Sequence, residues 1–127
     1  MADAILDSSA LLALINGERG ADKVAALLDG AAIGAVNYAE VVTKIIERGA
    51  SAEETRRELA GIEVPVISFD SSLAERTGTL RPDTRKFGLS LGDRACLALA
   101  EREGAAALTA DTRWSEIGLK IKVQLIR

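Results

Sequence analysis

The segment SLGDRACLALAEREGAAALTAD, from Ser90 to Asp111, contains a helix and a strand that together indicate the fold. The run from Ala95 to Ala100 is apolar on nearly every side, which predicts a buried helix from Ser90 to Glu103. The short apolar run Ala106–Thr109 then predicts a strand. A buried helix followed by a short buried strand is typical of a parallel sheet that helices cover on both faces.

The rest of the chain shows the same alternation of short apolar runs and helical patterns. Strands are predicted at Ala4–Leu6, Ala32–Val36 and Val64–Ser68, with an edge strand at Lys120–Leu125. Helices are predicted at about 9–16, 21–29, 38–46, 51–60, from 71 onward and at 112–117, whereas Arg81–Gly88 is predicted to be a loop. The alternation predicts an α/β protein, a three-layer α/β/α sandwich with a mostly parallel central sheet of about five strands, in a single domain spanning residues 1–127.

Composition indicates an ordinary globular protein, with 48% apolar and 28% charged residues. The apolar stretch Ala10–Ile15 is too short to cross a bilayer, and the start of the chain lacks the basic region of a signal peptide. The single cysteine, Cys96, cannot form an internal disulfide and is expected in the core. We therefore expect a cytoplasmic protein that does not enter a membrane.

The residue types that are missing exclude several kinds of chemistry. With no histidine and one cysteine, the chain cannot build a Ser-His-Asp triad, a histidine-based ribonuclease site or a common zinc site. Aromatic residues make up 3% of the chain and the net charge is −3, so any contact with nucleic acid must be local. Catalysis would have to use carboxylates and hydroxyls, with a hard cation such as Mg²⁺ or Mn²⁺.

Four acidic residues lie where predicted strands give way to helices. Asp7 and Asp111 follow strands directly, Glu40 is predicted in the first turn of a helix, and Asp93 begins the buried helix. Because the carboxyl ends of parallel strands meet at one edge of a sheet, we expect these four carboxylates to converge. Their mutual repulsion predicts a metal-free protein that is more stable near pH 5 than near pH 8.

Helix capping is the alternative explanation for each acid taken alone. Asp7 and Asp111 are suitable N-cap residues, and both Asn37-x-x-Glu40 and Ser90-x-x-Asp93 have the spacing of a capping box. Capping does not require an acid at every junction between a strand and a helix. The four acids together therefore favour a shared site.

Four segments of the chain resemble the signature segments of PIN domains, in the same order and at similar separations. They are DSSALL at 7–12, NYAEV at 37–41, LSLGDRA at 89–95 and LTAD at 108–111. The run GLSLGD at 88–93 resembles in particular the VapC branch, the toxin half of bacterial type II VapBC toxin–antitoxin pairs.

The resemblance implies a metal-dependent endoribonuclease that hydrolyses RNA. It assigns the Mg²⁺ or Mn²⁺ ligands and catalytic acids to Asp7, Glu40, Asp93 and Asp111, and it places the Ser9 hydroxyl beside them. It also implies a homodimer and a VapB-like antitoxin that blocks the site. In one departure from the family pattern, Arg113 stands where many relatives carry a further acid, which bears on the binding of a second metal ion.

Positive side chains in a locally basic stretch are candidates for binding RNA phosphates or the acidic groups of an antitoxin. They are Arg85, Lys86 and Arg94, and a solvated surface is the alternative explanation. Trp114 could stack on a base, although packing in the core is favoured.

Two other functions are compatible with the sequence. Length, alternation and an aspartate after the third strand, Asp70, would suit a phosphorylation-receiver domain, although Asp70 before Ser71 also suits an N-cap. The second alternative is a PIN-like module that binds RNA or protein without cleaving it.

Overall fold

The computed structural model describes all residues from Met1 to Arg127. Its strands are β1 Ala4–Leu6, β2 Ala31–Gly34, β3 Val66–Ile67, β4 Ala106–Thr109 and β5 Val123–Leu125. All neighbouring pairs are parallel and the order across the sheet is β3-β2-β1-β4-β5, so the predicted five-stranded sheet and its edge strand are confirmed.

Seven α-helices surround the sheet. They are α1 Ser8–Asn16, α2 Ala21–Leu27, α3 Ala35–Glu47, α4 Ala52–Ile62, α5 Ser71–Thr79, α6 Arg81–Thr84 and α7 Leu91–Glu103, with 3₁₀ helices at Arg85–Phe87 and Thr112–Glu116. None of these helices has both the length and the apolar character that crossing a bilayer requires.

The two faces of the sheet carry separate cores, because successive strand residues point to opposite sides. Leu6 and Ile33 pack against α1 to α4 on one face, whereas Ile5 and Ala32 pack against α5 and α7 on the other. Every residue of α7 from Cys96 to Ala100 is at most 1% exposed, so this helix is buried on all sides as its sequence predicts. The three-layer sandwich is confirmed.

Two local predictions are wrong. Strand β2 ends at Gly34 and α3 begins at once, so Glu40 lies in the second turn of α3, and Asn37 is inside the helix and does not cap it. The segment Arg81–Gly88 forms α6 and a 3₁₀ helix where a loop is predicted. Pro82 in the first turn suits a helix start, and the buried Thr84 hydroxyl donates to the Leu80 carbonyl at 2.8 Å.

Strand order also decides against a phosphorylation-receiver domain. That fold follows the order 2-1-3-4-5, which puts its third strand at the centre. Here β3 is a two-residue edge strand. Asp70 caps α5 by accepting from the Leu73 amide at 2.9 Å, and Arg102 donates to it at 2.8 Å. The receiver interpretation is therefore wrong, and Asp70 is an N-cap.

Candidate functional site

Asp7 lies at the switch point of the sheet, where the chain leaves β1 towards β2 and later returns on the other side of β1 as β4. The residue is 4% exposed, and both of its carboxylate oxygens accept hydrogen bonds. Oδ1 accepts from the Ser9 hydroxyl at 2.7 Å and from the Ala10 amide at 2.8 Å, while Oδ2 accepts from the Thr109 hydroxyl at 2.5 Å. Asp7 thus caps α1, but it also ties β1 to β4.

Burial changes the acidity of this carboxylate. Desolvation raises the pKa of Asp7 from 3.8 to about 6, against the hydrogen bonds from Thr109, Ser9 and Ala10, while the charge of Asp93 adds a smaller increase. Asp7 therefore becomes fully ionised only around neutral pH in the absence of a cation. A bound cation would favour the ionised form.

Glu40 is held against the head of α7 by Asn37. The buried Asn37 side chain donates from Nδ2 to Glu40 Oε1 at 3.0 Å and to the Gly92 carbonyl at 3.1 Å. A Cβ atom on Gly92 would lie 2.6 Å from Glu40 Oε1, so a larger residue there would displace this carboxylate. Glu40 thus contacts the first turn of α7 at Gly92, the residue before Asp93.

Asp93 completes a capping box with Ser90. Its Oδ2 accepts from the Ser90 amide at 2.9 Å, and the Ser90 hydroxyl accepts from the Asp93 amide at 3.2 Å. One turn further on, burial raises the pKa of the Cys96 thiol, and the charges of Asp7, Asp93 and Glu40 raise it further. These three acids are therefore close enough to act electrostatically on the Cys96 thiol, and Cys96 is a core residue as predicted.

Asp111 lies at the same edge of the sheet, but its carboxylate faces Arg113. Its Oδ1 accepts from the Arg113 amide and from Nε, both at 3.0 Å, so the hydrogen bonds of Arg113 hold the pKa of Asp111 below its usual value. The described residues contain no group of three potential ligands already arranged around one point. Convergence is therefore partial: Asp7, Glu40 and Asp93 lie near the head of α7 without forming a preassembled metal site, and Asp111 is paired with Arg113.

The predicted substrate-binding residues have different environments. The Ser9 hydroxyl also accepts from the Ala110 amide at 3.0 Å, which fixes it between β1 and β4. Arg94 is half-buried and donates to the Thr77 carbonyl at 3.0 Å, so it joins α7 to α5. The basic residues around it in the sequence did not predict this contact. Arg85 and Lys86 are exposed beside α7. Trp114 is fully buried, as favoured.

Thr109 is an important residue that sequence reasoning missed. It is fully buried, and its hydroxyl donates to Asp7 Oδ2 and accepts from the Asp111 amide at 3.0 Å. A hydroxyl at the last position of an otherwise apolar strand was the available signal. Asn37 was missed as a site residue because its spacing from Glu40 matched a capping box.

Thr109→Val is expected to destabilise the protein by about 1–3 kcal/mol, since it leaves Asp7 Oδ2 and the Asp111 amide without this partner in a buried place. The pKa of Asp7 should rise further, because the hydrogen bond from Thr109 lowers it. Urea unfolding measures the loss, and Thr109→Ser is the control that keeps the hydroxyl. A valine variant as stable as the wild type would contradict the role of this bridge.

The donor set fits a hard divalent cation. Carboxylate oxygens of Asp7, Glu40 and Asp93 are the ligands that Mg²⁺ and Mn²⁺ prefer. The Oδ1 atom of Asn37 is buried and has no hydrogen-bond partner, although buried polar atoms nearly always have one. An unpartnered acceptor next to Glu40 is a further feature that would suit a hydrated cation.

Comparisons with known proteins identify related sequences and folds. The family model described as PIN domain matches residues 4–120. No curated protein matches the chain significantly.

Among solved structures, the chain is similar to VapBC2 from Rickettsia felis bound to a promoter DNA fragment, with 17% identity, a TM-score of 0.75, and 96% of this chain and 97% of that chain covered. It is also similar to a toxin–antitoxin complex from Klebsiella pneumoniae, with 23% identity, a TM-score of 0.75 and 98% of each chain covered. A third similar structure is VapBC-5 from Mycobacterium tuberculosis, with 21% identity, a TM-score of 0.62 and 98% of each chain covered. At these identities, the likeness shows a common fold.

Proposed function

The chain belongs to the PIN-domain family, and on that premise we propose that it is a metal-dependent endoribonuclease, the VapC-type toxin of a type II toxin–antitoxin pair. The observation that supports the nuclease best is the gathering of Asp7, Glu40 and Asp93 around the first turn of α7. A chain without histidine needs such a site to hydrolyse a phosphodiester.

The three acids around α7 would hold Mg²⁺ or Mn²⁺. When bound, such an ion lowers the pKa of a water molecule and neutralises charge on the attacked phosphate. Asp7 is fixed by Ser9 and Thr109 so that its carboxylate stays in place when it ionises. Asn37 orients the Glu40 carboxylate toward the head of α7.

The RNA backbone would approach past the exposed side chains of Arg85 and Lys86. Both lie in the 3₁₀ helix between α6 and α7, directly before the segment that begins the buried helix. Positive side chains at this rim neutralise phosphates without selecting a base sequence. Arg94 is not included in this contact, because its guanidinium is used between α5 and α7.

We assign a VapB-like antitoxin as the protein partner, and a second copy of this chain as the other subunit of a homodimer. The solved structures similar to this chain include VapBC complexes, which supports the antitoxin. The exposed side chains of Arg85 and Lys86 would offer positive charges to acidic groups of an antitoxin.

A purified chain incubated with total RNA should cleave it in the presence of Mg²⁺ or Mn²⁺ and stop when EDTA is added. Mapping the cut positions identifies the preferred RNA. Cleavage that persists in EDTA would contradict the proposal, since no histidine is present to replace the metal. Binding of RNA without any cleavage would instead support the non-cleaving PIN-like module.

A further inference from the structure

The guanidinium of Arg113 is held from two sides at the carboxyl edge of the sheet. Its Nε lies 3.0 and 3.1 Å from the two carboxylate oxygens of Asp111, and its Nη2 also donates to Oδ2. On the other side, Nη1 donates to the Phe87 carbonyl at 2.7 Å. A pairing of this kind fixes the plane of the guanidinium as well as its position.

The backbone beside Arg113 is shaped to admit this side chain. Gly88 adopts a left-handed conformation with φ of 66°, and a Cβ atom there would lie 3.2 Å from Nη1 of Arg113. Because the side chain is 50% exposed, the ion pair adds little to folding stability. Arg113 is important because of where it places its positive charge.

That position adjoins the three acids at α7. The Asp111 amide donates to the Thr109 hydroxyl, which in turn donates to Asp7 Oδ2, so the Arg113–Asp111 pair is two hydrogen bonds away from Asp7. The negative charge of Asp93 also acts on the Arg113 guanidinium. Arg113 therefore adds a positive charge close to Asp7 and Asp93.

We propose that Arg113 takes the place of a second divalent cation at Asp111, so that the site holds a single ion among Asp7, Glu40 and Asp93. The half-exposed guanidinium then contributes the second positive charge to the RNA phosphate. This inference rests on the proposed metal-dependent function. Its chemical basis is that both oxygens of Asp111 are engaged by a side chain that is always protonated, so a cation would have to displace Arg113 to bind there.

Counting bound Mn²⁺ tests the proposal without measuring cleavage. Mn²⁺ is titrated into the full-length protein and followed by calorimetry and by the electron paramagnetic resonance signal of the free ion. The wild type should bind one ion per chain. Arg113→Gln frees the Asp111 carboxylate and should bind two, and the double variant Arg113→Gln/Asp111→Asn should return to one.

Matched variants separate the charge of Arg113 from other effects. Arg113→Lys keeps a positive charge beside Asp111 and should still bind one ion. Lys86→Gln removes a nearby exposed cation that contacts no carboxylate, and should also bind one. Thermal melts provide the folded fraction, to which every count is scaled.

Two outcomes would overturn the inference alone: two ions bound by the wild type, or one ion bound by both the wild type and Arg113→Gln. If none of these proteins binds Mn²⁺, the proposed metal-dependent function is overturned together with the inference. Asp111→Asn in the wild-type background provides a further measure. It should change the affinity of the single ion by less than about fivefold, because the lost carboxylate is paired and not a ligand.

Discussion

Asp7→Asn is expected to lower the rate of metal-dependent RNA cleavage by ~10³-fold or more, the scale of losing several kcal/mol of charge stabilisation by a bound cation. The substitution keeps the shape of the side chain, and an asparagine oxygen can still accept from the Ala10 amide and the Ser9 hydroxyl. The cap of α1 is therefore retained and the fold should be preserved. Initial rates on a single RNA at saturating Mg²⁺ measure the effect.

Asp70→Asn is the matched control, because Asp70 also caps a helix that follows a strand. Its carboxylate accepts from the Leu73 amide and pairs with Arg102, away from the acids at α7. Cleavage by this variant should stay within about twofold of the wild type, the scale expected when an exposed ion pair is removed. Equal losses in both variants, or full activity in Asp7→Asn, would show that these acids do not form the catalytic site.

The sequence predicted the layers of the fold because hydrophobic patterning determines which residues are buried. The apolar run from Ala95 to Ala100 required an environment that is apolar on all sides, and α7 lies in one. The parallel sheet followed from the alternation of strands and helices. The order β3-β2-β1-β4-β5 did not follow, since several orders satisfy the same pattern of burial.

The predicted boundary between β2 and α3 was wrong because no side chain marks the start of this helix. No side chain caps α3, because Gly34 ends β2 and begins the helix with its own extended backbone. The spacing of Asn37 and Glu40 was therefore mistaken for a capping box, although the Asn37 amide reaches across to the carbonyl of Gly92 on α7. A contact between residues so distant in sequence leaves no periodic signal.

The electrostatics of the site also differ in cause from the prediction. Repulsion among four carboxylates was expected to dominate, whereas desolvation of Asp7 is the largest cause of its raised pKa and the charge of Asp93 the smallest. Arg113 accounts for part of the difference, since it neutralises Asp111 locally. Asp111 and Arg113 are two residues apart, and their side chains face each other because of the 3₁₀ helix at Thr112–Glu116. The spacing in the sequence alone does not show this orientation.

In the metal-free protein, the contribution of Asp7 to stability is expected to be lost as pH rises from about 4 to about 7. The pKa of Asp7 is about 6 in the folded state and near 3.8 when the group is solvated. A raised folded pKa means that its stabilising contribution is complete below about pH 4 and lost as pH rises through about 6. That displacement of the pKa corresponds to ~3 kcal/mol.

Asp7→Asn isolates this contribution from the other titrating groups. Hydrogen bonds and ion pairs lower the pKa values of Asp70, Glu101 and Asp111, so these acids destabilise the fold as pH falls and would obscure the behaviour of Asp7 in the wild type alone. The difference in unfolding free energy between Asp7→Asn and the wild type cancels their effect. In EDTA, the variant should be more stable than the wild type by about 1–2 kcal/mol at pH 8, because the loss of one hydrogen-bond acceptor offsets part of the gain, and no more stable at pH 4.

Saturating Mg²⁺ should reverse the difference at pH 8, because the cation stabilises the ionised wild type and has little affinity for the neutral variant. Urea unfolding at both pH values, with Mg²⁺ and with EDTA, measures all four quantities. A difference that does not change with pH would show that Asp7 is not a buried titrating acid, and one that Mg²⁺ leaves unchanged would show that Asp7 is not a metal ligand.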